Sequence, residues 1–153
     1  MIGKLTAPQI EELLQAQHIG RIGCHDNGIT YIVPVSYAYD GMYIYVHSHE
    51  GMKTEFMRKN PAVCFQVDNL QDLGNWQSVI AWGTYEELPE GRERDHAIDT
   101  LLKRRLPIIS SVTTHLGSTW PFSSEGETKV EGIVFRVALT EKTGRFESTS
   151  YSH

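Results

Sequence analysis

Some stretches of this chain carry apolar residues at every second position, as Val63, Phe65 and Val67 do, and others show the three-and-four spacing of a helix. Thr6-Ala-Pro-Gln9 has the form of a capping box with Pro8 in the first turn, and Ile10, Leu13 and Leu14 then share one helical face up to a stop at Gly20. A strand follows over Ile19–His25, closed by the hairpin signal Asp26-Asn27-Gly28. Ile29–Tyr39 is rich in β-branched and aromatic residues, Asp40-Gly41 marks a second turn, and Met42–Ser48 returns, giving an antiparallel meander. Gly51–Asn60 reads as a short helix with Met52, Phe56 and Met57 inward, stopped by Pro61. Beyond it come a strand over Ala62–Asp68, a polar loop over Asn69–Asn75 and a long strand over Trp76–Leu88. A helix near 91–105 carries Ile98, Leu101 and Leu102, an irregular stretch runs from Pro107 to Lys129, and two strands, Gly132–Leu139 and Gly144–Ser148, close the chain. Six or seven strands with two or three helices predict a mainly β protein, an antiparallel barrel with peripheral helices.

One strand is unusual. Neither face of Ile29–Tyr39 carries a charge, so both are expected to be covered, one by the barrel interior and the other by a partner, a helix or a ligand. Pro34 has no N–H, so the ladder must break there at an edge or bulge. Backbone groups are then left available to a ligand.

The 153 residues suit a single domain spanning 1–153, with room for a full core and none for a separate nicotinamide-binding domain. Fourteen basic against nineteen acidic residues give a net charge of −5, which argues against a general nucleic-acid or membrane-surface binder. Two cysteines, Cys24 and Cys64, form no zinc or disulfide pattern and read as buried core thiols. With neither a signal-peptide h-region nor an apolar run of about 18 residues, a cytoplasmic location is expected.

The segment richest in chemistry is Tyr45-Val46-His47-Ser48-His49-Glu50-Gly51-Met52-Lys53. A strand ends in His and Ser, and a Gly-containing turn opens a helix with a Lys in its first turn. Unpaired N–H groups, a hydroxyl and a cation make this a candidate anion site, although an ordinary strand–helix junction would look the same. Walker A spacing is absent. His47 and His49 can face one way on a strand, but a metal site needs a third ligand; Glu50, His96 or His115 would have to come from elsewhere in the fold, and no metal is expected. No GxSxG elbow supports nucleophilic hydrolysis. Glu86, Glu87 and Glu90 read as a solvated turn, and Lys103-Arg104-Arg105 as cations at a helix C-terminus. Tyr31, Tyr37, Tyr39, Tyr43, Tyr45, Trp76, Trp82 and Trp120 suit core packing or a planar ligand equally well.

These pieces together resemble the pyridoxamine 5'-phosphate oxidase-like flavin-binding split barrels, and within them the nitroimidazole-resistance (Nim-type) branch. The matching strings are Ile19-Gly-Arg-Ile-Gly, Tyr31-Ile-Val-Pro-Val-Ser-Tyr37, Asp40-Gly-Met-Tyr-Ile-Tyr-Val-His-Ser48, Gly51-Met-Lys53, Asn60-Pro-Ala-Val-Cys-Phe-Gln-Val-Asp68 and Trp76-Gln-Ser-Val-Ile-Ala-Trp-Gly-Thr84. The resemblance implies FMN held at a homodimer interface. By position, Pro34, Val35, Ser36 and Tyr37 would line the flavin ring, Val46, His47 and Ser48 the ribityl chain, and Lys53 the phosphate. Ser78 would contact the ring, Trp120 would reach across from the second subunit, and His47 would be the catalytic candidate.

Two departures bear on function. Full oxidases of this kind place an Arg immediately before the phosphate Lys, where this chain has Met52, and their substrate signature near the chain end is missing. The resemblance therefore implies an FMN-dependent oxidoreductase that reduces a small aromatic or nitro compound, rather than a pyridoxamine phosphate oxidase. The rival readings are a flavin-binding module without turnover, and a split barrel that holds haem or a deazaflavin.

Overall fold

The computed structural model describes residues 1–104 and 132–149. Trp120 and His115 lie outside the described residues.

The strands are β1 (Ile2–Lys4), β2 (Ile19–Asp26), β3 (Ile29–Ser36), β4 (Ala38–Tyr39), β5 (Tyr43–Ser48), β6 (Ala62–Asp72), β7 (Asn75–Glu87) and β8 (Ile133–Glu147). Among the described residues three helices intervene: α1 (Ala7–Ala16), α2 (Met52–Lys59) and α3 (Arg92–Lys103). All strand pairings are antiparallel, in the order β3-β2-β6-β7-β8-β5-β4, with β1 paired to β8. Because β4 continues β3 across Tyr37, the two ends of this order are one stretch of chain, and the sheet closes on itself. This is the split barrel expected from the sequence.

The hairpin chemistry falls where the turn residues stand. Asp26 pairs with Ile29 across Asn27 and Gly28, whose φ values of 50° and 76° suit the two-residue turn. Gly41, at φ 97°, follows Asp40, whose Oδ1 accepts from the Met42 and Tyr43 amides at 2.9 and 2.8 Å.

The barrel interior holds Ile22, Val35, Tyr37, Ile44, Val46, Phe65, Val67, Val79, Phe135 and Val137, with Ile10, Leu13 and Leu14 of α1 packed among them. The capping box is present, with the Gln9 amide donating to Thr6 Oγ1 and the Thr6 amide to Gln9 Oε1. A second, smaller cluster joins Ala97 and Leu101 of α3 to Ala38, Tyr45, Leu88 and Val134.

Several local expectations are corrected. Residues 69–72 extend β6, and Leu73-Gly74 alone makes the turn into β7. The two terminal strands are one bent strand, β8, which crosses Gly144 and carries an irregularity opposite Trp82 and Gly83. A Cβ on Gly83 would lie 2.2 Å from the Ala138 carbonyl oxygen, so the close strand approach there requires glycine. Met52 and Leu102 are exposed rather than inward, and the buried face of α2 is carried by Thr54 and Met57. Cys24 is buried, whereas Cys64 is only half-buried. The Ile32 and Pro34 face of β3 is uncovered in the single chain: Ile32 is 67% exposed and Trp82 40%, and both line an open apolar groove of about 720 Å³ on the outside of the barrel. Among the described residues, no helix is long and apolar enough to cross a membrane.

Candidate functional site

The barrel splits where β3 and β5 part. Among the described residues, β5 pairs with β4 only through Ile44 and Tyr45, and β3 pairs only with β2. Pro34 fits this edge, since it has no N–H to leave unpaired. A cavity of about 290 Å³ opens in the split. Its walls are Pro34, Val35 and Ser36 from β3, Val46, His47 and Ser48 from β5, His49 and Glu50 from the turn, Lys53 from α2, and Arg104.

Seven sequence candidates therefore meet in one place: Pro34, Val35, Ser36, Val46, His47, Ser48 and Lys53. Tyr37 and Ser78 lie elsewhere. The Tyr37 side chain is 1% exposed inside the barrel, edge-on to Phe65, with its hydroxyl donating to the Leu14 carbonyl at 2.7 Å. Ser78, on β7, accepts from Gln66 Nε2 at 3.0 Å and is not among the cavity's lining residues.

Two cations set the electrostatics. Burial lowers the affinity of the Lys53 ammonium for its proton, and no carboxylate among the described residues is paired with it. Arg104 follows the last turn of α3, and its Nη1 donates to Ser36 Oγ at 2.7 Å. Burial brings its guanidinium down to about 10, so it stays charged at neutral pH, and its buried Nε has no hydrogen-bond acceptor. Burial lowers the basicity of His18, and the nearby Arg104 charge acts in the same direction.

Among the described wall residues the one carboxylate, Glu50, is already engaged. Glu50 receives both forks of Arg58 at 2.6 and 2.9 Å, and Arg58 also binds Glu87 at 2.7 Å, a pairing that holds the Glu50 carboxyl below the usual range. At the turn, Thr54 Oγ1 accepts from the Gly51 amide at 3.1 Å and donates to the Gly51 carbonyl at 2.9 Å, which fixes the start of α2. Ser48 Oγ donates to the His49 carbonyl at 3.0 Å. The His47 and His49 rings stand edge to face with centroids 6.0 Å apart. Among the described residues no group of three or more His, Cys, Asp or Glu can hold a metal ion. With Lys53 and Arg104 both on its wall, the cavity can neutralise a buried anion and offer strand edges and small apolar surfaces to the rest of a ligand.

Arg104 was not a sequence candidate for this site. In the sequence it belongs to a basic run whose position at a helix end already accounts for it, and its approach to Ser36 is a tertiary contact across 68 positions.

The sequence pattern of the family described as pyridoxamine 5'-phosphate oxidase matches residues 6–146. The chain belongs to the pyridoxamine 5'-phosphate oxidase family. A relative from Rhizobium meliloti strain 1021, described as an uncharacterized protein, is 30% identical over 145 residues, covering 92% of each chain. A FAD-binding protein from Mesorhizobium loti is 33% identical and superposes with a TM-score of 0.75, covering 97% of this chain and 99% of its own. A candidate 5-nitroimidazole antibiotic resistance protein from Bacteroides thetaiotaomicron is 21% identical with a TM-score of 0.72, covering 95% of this chain and 87% of its own. That protein is one of several family-like structures below 25% identity, and likeness at that distance shows the fold alone. The narrower resemblance to the Nim-type branch therefore reduces to membership of the pyridoxamine 5'-phosphate oxidase family.

Proposed function

We propose that this chain binds a flavin nucleotide, FMN, in the split between β3 and β5 and uses it as an oxidoreductase toward a small aromatic or nitro acceptor. The observation that carries the reading is the convergence of Lys53 and Arg104, two half-buried cations without described carboxylate partners, on a cavity that also holds Ser36 and Ser48. That donor set fits a phosphate: an unpaired guanidinium N–H, an ammonium, hydroxyls and a helix N-terminus. The FAD-binding relative at 33% identity supports a flavin, since FAD contains the FMN moiety.

In this reading Lys53 neutralises the phosphate, Val46–Ser48 follow the ribityl chain, and the free edge at Pro34–Ser36 meets the ring. Tyr37 serves the core instead, and Ser78 would reach the ring only through the second subunit. The bound flavin supplies hydride or electron transfer. The protein positions it and keeps water from it, with His47 placed to hold or donate a proton beside it. A second copy of the chain completes the pocket: the uncharged strip of Ile32, Pro34 and Trp82 is continuous with the Pro34 wall of the cavity, and a polar monomer surface does not need it.

Purified protein titrated with FMN should quench and shift the flavin spectrum at micromolar ligand, sediment as a dimer, and, once photoreduced, be reoxidised through multiple turnovers by a nitroimidazole under anaerobic conditions. A spectrum left unchanged by FMN sinks the flavin reading. Binding without turnover leaves a carrier or sensor, and a Soret band on haem titration would move the site to haem.

A further inference from the structure

Lys53 reaches the cavity from α2, but the residue beside it, Met52, is 54% exposed and is not among the lining residues. The second cation comes from the other side of the fold. Arg104 caps the C-terminal end of α3, which is anchored through Ala97 and Leu101 to Tyr45, Leu88 and Val134. The guanidinium offers five N–H donors; among the described residues Ser36 Oγ accepts from Nη1, and the buried Nε has no acceptor. A buried charged donor without an acceptor costs stability unless a ligand supplies one. An exposed surface arginine has no such need.

We propose that Arg104 is the residue that makes this site select phosphorylated flavins: it supplies, from α3, the second positive charge on the flavin phosphate, opposite Lys53. The inference rests on the flavin reading above and assigns the role to one side chain. A dianionic phosphate between two half-buried cations is bound far more strongly than by either alone, because their charges are little screened by solvent. Ser36 positions the fork. Its Oγ accepts from Nη1 and holds the guanidinium against β3, so the strand that would meet the flavin ring also sets where the phosphate is held.

The test compares the dissociation constants of FMN and riboflavin, read by flavin fluorescence quenching, for the wild-type protein and for Arg104→Met, Arg104→Lys and Ser36→Ala. Arg104→Met should weaken FMN by about ten- to a hundredfold, the span of a lost charge-assisted hydrogen bond, and leave riboflavin within about twofold. Arg104→Lys should recover part of the loss, and Ser36→Ala should shift FMN the same way by less. Inorganic phosphate should compete with FMN on the wild type and compete less on Arg104→Met. FMN binding by Arg104→Met within threefold of wild type overturns the proposal, and so does an equal loss of riboflavin, which would mark Arg104 as a support for the fold. If the wild type binds neither compound, the flavin reading itself falls, an outcome separate from failure of Arg104 alone.

Discussion

The Tyr37 hydroxyl donates to the Leu14 carbonyl at 2.7 Å, joining the break between β3 and β4 to the end of α1. The Tyr37 amide makes a second link to the same region by donating to the His18 carbonyl at 3.0 Å. Strand alternation fails here: Val35 and Tyr37 face inward as expected, but Ala38 and Tyr39 are both buried as well. The chain turns at Tyr37 so that its first half pairs with β2 and its second with β5, and the cavity opens where these halves diverge. Removing the hydroxyl leaves a helix carbonyl unpaired among apolar side chains. Tyr37→Phe should therefore cost about 1–3 kcal/mol in urea unfolding while FMN affinity stays within about twofold. A larger effect on binding than on stability would return Tyr37 to the site.

Lys53 sets binding against stability. Its burial lowers the folded-state proton affinity, so between the folded value and the ordinary one near about 10.4 the unfolded chain binds more protons. Stability of the ligand-free protein should then rise with pH across that window, as the buried ammonium is neutralised. FMN binding should fall over the same window, as the charge on the phosphate site is lost. Lys53→Met should remove both slopes, leave the neutral-pH melting temperature unchanged or higher, and weaken FMN by about tenfold or more. Melting curves and FMN titrations between neutral and alkaline pH check both halves.

How far the sequence carries the fold and the site is visible in particular residues. Asp26-Asn27-Gly28 and Asp40-Gly41 locate their turns because turn chemistry is local, and the Ser48-to-Lys53 wall is contiguous in the chain. Pro34 marks a free edge for the same reason. Alternation puts Tyr37 on the inward face with Val35, where the structure has it, and its place beside the ring came only from the family resemblance. Residues 69–72 looked like a loop because polar side chains on an exposed hairpin do not alternate in hydrophobicity. Arg104 was missed because its partner, Ser36, is brought to it only by the packing of α3 on β5 and β8. Hydrophobic pattern specifies which face is buried, and it carries no information on which distant polar groups meet in a cleft.

Gly132 enters β8 with φ 93°, a conformation that L side chains rarely adopt. A Cβ there would stand 2.7 Å from the Ser48 carbonyl oxygen and 3.2 Å from His47 Nε2. The first neighbour is backbone and cannot rotate away, so β5 would have to shift at the cavity wall. Gly132→Ala should thus combine backbone strain of about 1–3 kcal/mol with weaker FMN binding. Gly28→Ala provides the control: it shares a positive φ, 76°, but no atom lies within 4 Å of its Cβ, so it should lose stability with little change in affinity. Equal losses of affinity in the two variants would show that His47 and Ser48 are not being displaced.

Glu11, Tyr39 and Lys142 tie α1 to β4 and β8. Tyr39 donates to Glu11 Oε2 at 2.6 Å, Lys142 forms a short ion pair with Glu11 Oε1, and Lys142 Nζ lies 3.2 Å from the Tyr39 hydroxyl. Burial alone would raise the Glu11 carboxyl, but the Lys142 and Tyr39 contacts outweigh it and hold it below its ordinary value. Burial likewise pulls Lys142 down, and Glu11 and Tyr39 together pull it above its ordinary value. The signs give two limbs. The Glu11 contribution is complete above the unfolded carboxylate value of about 4.3 and is lost as pH falls through the lower folded value. The Lys142 contribution is complete below the unfolded value of about 10.4 and is lost as pH rises through the higher folded value. Glu11→Gln should flatten the acid limb of melting temperature against pH, and Lys142→Met should flatten the alkaline limb. Because both side chains are partly exposed, raising the salt concentration should shrink both effects. A wild-type acid limb unchanged by Glu11→Gln would show that other carboxylates govern acid unfolding and that this triad holds α1 by shape alone.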